Sequence, residues 1–138
     1  MARDLSLGVR RAVVAALEDS PAVTAIVPPE RLYAAAPPAD PVWPFIRTGV
    51  AAPAPFRASG LDGMRVLLSL HGFARGPQED AVAALGAAIA AALDGRVLPL
   101  DDDPAAVAHL AWTGSRLARD DDEAGAFHVV VAIEAVVV

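Results

Sequence analysis

The last thirteen residues, AFHVVVAIEAVVV, restrict the chain more than any other stretch. Phe127, Val129, Val131 and Ile133 alternate onto one face, the period of two that belongs to a β-strand. The opposite face carries His128 and Glu134, but also Val130, Ala132, Val136 and Val138. A strand with one face in water would place more polar groups there. An end that is apolar on both sides is costly unless something covers it. In a chain of 138 residues, the length of one domain, that cover comes from another copy or another protein. Val136 and Val138 are therefore candidate interface residues.

The rest of the chain supplies partners for that strand. Residues 5 to 17 place Leu5, Val9, Ala12, Val13, Ala16 and Leu17 at helical spacing. Ser20-Pro21 opens a short second helical turn, which Pro28-Pro29 stops. Residues 34 to 44 hold four prolines and read as an extended connector; PFIRTGV (44 to 50) reads as a short edge strand. AAPAPFRASGLDG (51 to 63) has no period and reads as a long loop. A loop of this composition is expected to offer Phe56 and Arg57 nothing local to pack on, so they join the interface candidates. Residues 65 to 73 form a strand with Val66, Leu68 and Leu70 on one face. Gly76-Pro77 opens a helix with a stripe of Val82, Leu85, Ile89 and Leu93, closed near Gly95. Residues 106 to 118 and 126 to 138 make the last two strands. The expected fold is α+β in the order α-β-β-α-β-β: one domain over 1–138, with a four-stranded antiparallel sheet carrying two helices on one face.

Composition narrows the function. The chain is 55% hydrophobic and 20% charged, which is globular and not disordered. Net charge is -6, and the eleven basic residues, all arginine, are scattered without forming a stripe. A surface that grips DNA needs a basic patch. The absence of cysteine excludes disulfides, thiolate catalysis and a cysteine zinc site. No signal-type segment or membrane span is visible, so a cytoplasmic place of synthesis is expected.

The candidate sites are few. Two triplets, Asp101, Asp102, Asp103 and Asp120, Asp121, Asp122, bracket the third strand. Carboxylate clusters can bind divalent cations, but neither triplet has the alternating acids, central glycine and closing glutamate of a calcium loop; solvated turns are the simpler reading. His71, His109 and His128 are spread over three strands. If the last hairpin turns near Asp122, paired residue numbers sum to about 245, which sets His128 opposite Leu117 and His109 near Val136. The three then share no site. No serine stands in a GxSxG elbow, and no phosphate-binding loop is present. No enzyme activity, metal or cofactor is expected.

Four segments together resemble the tail-terminator (tail-completion) family of long-tailed phages and gene transfer agents. They are LEDSPAVTAIVPPERLYAAAPP, WPFIRTG, MRVLLSLHGFARGPQEDAVAALGAAIAAALDG and DDDEAGAFHVVVAIEAVVV. The resemblance covers nearly the whole chain, and it departs at Gly72-Phe73, where many relatives have a tryptophan-containing strand end. It implies a structural virion protein: a homo-oligomeric, hexameric ring in the tail of a phage or phage-like particle, assembled in the host cytoplasm. The ring would end the tail tube at its head-proximal end and join a tail tube protein to the head connector or stopper, with DNA only as passing cargo. The family has no catalytic motif to transfer. In that ring the aspartate triplets would face the lumen, where carboxylates repel DNA and let it slide. A head-completion or stopper ring of the neck, and a cytoplasmic dimeric α+β domain binding a small ligand, are the alternative readings.

Overall fold

The computed structural model describes residues 4–34, 36–58, 61–76, 79–103, 105–119 and 125–138, the side chains of residues 56, 58, 61 and 62 excepted. Helix α1 (Ser6–Glu18) is followed by the single-turn α2 (Pro21–Thr24), a 3-10 turn (Pro29–Arg31) and strand β1 (Leu32–Tyr33). Then come β2 (Phe45–Thr48), β3 (Ala52–Ala58), β4 (Leu61–Arg75), α3 (Asp80–Leu93), β5 (Val97–Pro99), β6 (Val107–Arg119) and β7 (Ala126–Val137).

The sheet corrects the four-stranded expectation. It has seven strands in the order β1-β2-β4-β7-β6-β5, with β3 paired to β4, and β1 runs parallel to β2. Two of the extra strands, β1 and β5, are too short to show a period. The third, β3, was hidden by its prolines. Residues 51–63, expected as a loop, instead pair as a hairpin from Ala52↔Leu67 to Ala58↔Leu61. Pro53 and Pro55 lie two apart, so both missing N–H groups fall on one edge of β3. The unbroken ladder to β4 makes that the outer edge, where proline costs no sheet hydrogen bond.

The core follows the sequence periods closely. Met64, Val66, Leu68 and Leu70 of β4 and Val129, Val131, Ile133 and Ala135 of β7 are all buried. They meet Val9, Val13 and Leu17 of α1 and Val82, Leu85, Ile89 and Leu93 of α3, which pack on that one face. Each large apolar side chain buried this way contributes roughly 1.5–3 kcal/mol. The helix sits very close to the sheet because two glycines let it. A Cβ on Gly86 of α3 would stand 2.8 Å from Val129 Cγ2, and one on Gly72 of β4 would stand 2.8 Å from Leu85 Cδ2. The Gly72-Phe73 departure thus has a packing role: Gly72 seats the helix and Phe73 turns to the other face.

The chain end is not frayed. Val138 and Val107 exchange both backbone hydrogen bonds, at 3.1 and 3.2 Å. Replacing Gly86 with alanine should lower stability by about 1–3 kcal/mol in urea unfolding, because stiff, β-branched Val129 cannot move aside. Combining it with Val129→Ala should recover part of that loss, which a double-mutant cycle would read.

Candidate functional site

Among the described residues the second face of the sheet carries no helix, and its side chains can be read row by row from the strand register. Arg47, His71, Val130 and Arg116 form one row across β2, β4, β7 and β6. Phe45, Phe73, His128 and Ala118 form the next. Phe73 stacks on Phe45 at 4.6 Å and on His128 at 4.3 Å, with His71 beyond at 5.0 Å from His128. Trp43 packs edge-on to both Phe45 and Phe73. Two guanidiniums lie over these rings: Arg47 at 5.5 Å from Phe73 and Arg75 at 4.7 Å from Trp43, within the range of cation–π attraction.

His71 and His128 touch. Their Nδ1 and Nε2 atoms are 2.8 Å apart, and Ser69 Oγ lies 3.0 Å from His71 Nε2. Gly49 leaves room for this line of polar atoms, since a Cβ there would collide with Ser69 Oγ and stand 2.9 Å from His71 Nε2. Burial, then the charges of Arg47, His128 and Arg116, push His71 down to about 4 from 6.5. It is neutral at physiological pH. A serine beside a histidine resembles the start of a nucleophilic relay, but the group behind His71 is a second histidine and not the carboxylate that would stabilise an imidazolium. The cluster suits a stacked, weakly basic contact surface better than proton transfer.

His109 stands apart, paired with Val136 as the sum of 245 requires. His128 is opposite Ala118 instead of Leu117, because a bulge between Trp112 and Gly114 shifts β6 by one residue. Diagonal neighbours across β4 and β7, which the sequence spacing does not reveal, bring His71 and His128 together.

The other candidates are dispersed. Val136 is half-buried on the open face between Arg65 and His109, and Val138 is exposed. Arg57 is exposed on β3; Phe56 lies on the same strand, its side chain outside the described residues. The first triplet is not simply solvated: Arg11 of α1 binds Asp101 at 3.1 Å and approaches Asp102 at 3.5 Å. The hydrogen bond from Arg11 holds the Asp101 carboxyl below its usual value. Asp102 lies against Gly8 in the first turn of α1, where a helix favours negative charge and a Cβ would collide with its carboxylate. The Asp103 side chain accepts the Ala105 N–H at 3.2 Å in a turn. Asp120, Asp121 and Asp122 lie outside the described residues. Among the described residues no helix is long and apolar enough to cross a membrane.

The comparisons with known proteins agree with each other. The family model described as tail completion protein gp17 matches residues 11–138. A chain of a solved structure, the virion of a native gene transfer agent (GTA) particle, superposes with a TM-score of 0.82 at 19% identity, covering 98% of both chains. At that identity the likeness is one of fold. No curated protein matches.

The depressed His71 predicts a pH window. Between pH 6.5 and about 4 the unfolded chain takes up a proton at this histidine that the folded chain does not, so its contribution is flat above 6.5 and destabilising as pH falls. The melting temperature should drop across that window, and His71→Gln should flatten the slope.

Proposed function

Because the chain belongs to the tail completion protein gp17 family, and so is a structural protein of the phage tail, we infer that it forms a homo-oligomeric ring. The ring, of six copies, sits at the head-proximal end of the tail tube. It ends tube growth there, docks on the tube protein on one side and on the head connector or stopper on the other, and lets DNA through its lumen. The family match carries this reading, since it runs from within α1 to the last residue.

Two features of the chain support a ring. The apolar side chains on the open sheet face are those expected of a surface that neighbours cover. The aspartate triplets flank β6 in the chain, and β6 spans about 40 Å at strand rise. With β6 along the ring axis, the first triplet, which precedes β6, stands toward one mouth of the lumen. There carboxylates keep the DNA backbone from sticking. Asp101 serves that purpose less, being held by Arg11.

Particles made without this protein should carry tails of uncontrolled length that fail to join heads, seen by electron microscopy. Supplying the wild-type chain should restore them. Joined tails of normal length in its absence would overturn the reading. Val131→Asp, at a fully buried position of β7, should leave no folded chain, because an unpaired buried charge exceeds what a domain of ~5–15 kcal/mol tolerates. Val136→Asp should keep the monomer's circular dichroism and melting curve but fail to restore joined tails.

A further inference from the structure

Helix α1 is electrostatically unfinished at both ends. At its start a cavity of about 580 Å³ opens toward β2. Its wall includes Ser6, Leu7 and Arg10 of the helix, and Arg47, Thr48 and Val50 in and just after the strand. Two arginines line it, with no carboxylate among the described lining residues, in a chain of net charge -6. The acids nearby are already engaged. Asp101 is held by Arg11, and Asp4 accepts the Ser6 N–H at 2.9 Å. Arg10 has no ion pair or hydrogen bond among the described residues. Arg47 lies over the Phe73 ring, a contact that supplies no acceptor oxygen. Leu7 is 52% and Val50 93% exposed, so the wall is apolar as well as basic. It fits a carboxylate flanked by apolar side chains. Nucleic-acid phosphate would match the arginines but not Leu7 and Val50, and two guanidiniums are no basic stripe.

The complement stands at the other end of the same helix. After thirteen residues, about 20 Å at helical rise, α1 ends in Glu18 and Asp19, both exposed. They sit at the negative end of the helix dipole, where carboxylates are disfavoured, and the last turn holds no basic residue. Neither side chain has an ion pair or hydrogen bond among the described residues. Other adjacent acids are provided for: Glu79 and Asp80 open α3 at the favourable end of its dipole, and Asp101 and Asp102 face Arg11. Pro21 and Ala22 are exposed beside Glu18 and Asp19, so this corner is both acidic and apolar.

We propose that the Glu18–Asp19 corner of one copy seats in the Arg10–Arg47 cavity of the next. Carboxylates then meet guanidiniums, whose forked donors suit them, while Pro21 and Ala22 meet Leu7 and Val50. The charges fix register and partner. Both surfaces belong to one chain and differ from each other, so the contact runs head to tail, the kind that generates a ring when its rotation closes. The proposal rests on the ring reading above and names a contact that builds it.

A charge swap in the full-length protein tests it. Arg10→Glu and Glu18→Arg should each weaken assembly by about tenfold or more in sedimentation velocity, because each sets like charges face to face. The monomer's melting temperature should not fall, since each new charge suits its end of the α1 dipole. Both changes in one chain should restore the rings, as should an equimolar mixture of the two single variants. Wild-type assembly by either single variant would sink this contact and leave the ring standing. Weakened single variants that the double variant fails to rescue would show that these two sites do not pair. A wild-type chain that stays monomeric at tens of micromolar would overturn the contact and the ring together.

Discussion

Everything in this fold hangs on the antiparallel ladder between β4 and β7, which runs unbroken from Met64↔Val137 to Arg75↔Ala126. Its register settles both faces at once. Even-numbered residues of β4 and odd-numbered residues of β7 turn toward the helices, and a slip of one residue would send that whole set into water. The ladder also joins distant parts of the chain, so α3, which lies between the two strands in sequence, is carried onto their shared face. Gly72 and Gly86 then bring helix and sheet close enough that Leu85 and Val129 interlock.

The same ladder assembles the second face. Phe73 and His71 from β4 meet His128 from β7, and β2 adds Phe45 and Arg47. A stack of rings flanked by arginines on a helix-free sheet face has the composition that contact surfaces favour, rich in aromatics and arginine. Behind His71 stands the ring of His128, at 2.8 Å between their nitrogens. For a structural protein of the phage tail, surfaces and edges are the places to look for function.

One extra residue in β6 has consequences well beyond its size. Before the bulge, pairs between β6 and β7 sum to 245, as in Ala108↔Val137 and Trp112↔Ile133; after it they sum to 246, as in Gly114↔Ala132 and Arg119↔Phe127. The change of parity keeps Trp112 and Leu117 on one side of the strand. It also leaves that side apolar where α3 no longer covers it, which makes a groove of about 420 Å³ between α3 and β6.

The sequence by itself determined the elements with a strong local period: α1 through Val9, Val13 and Leu17, α3 through Val82 to Leu93, and β4 and β7 by alternation. It also determined the α+β class, the family resemblance, and His109 against Val136, because local burial and a hairpin's sum are short-range properties. Only the tertiary structure decided the rest. β3 was illegible because proline reads as a loop until one knows that its missing N–H faces outward. The meeting of His71 with His128, and of Arg11 with Asp101, joins residues far apart in the chain. The groove depends on where α3 stops relative to a bulged strand. Such contacts arise from register and layer packing, which no local pattern encodes.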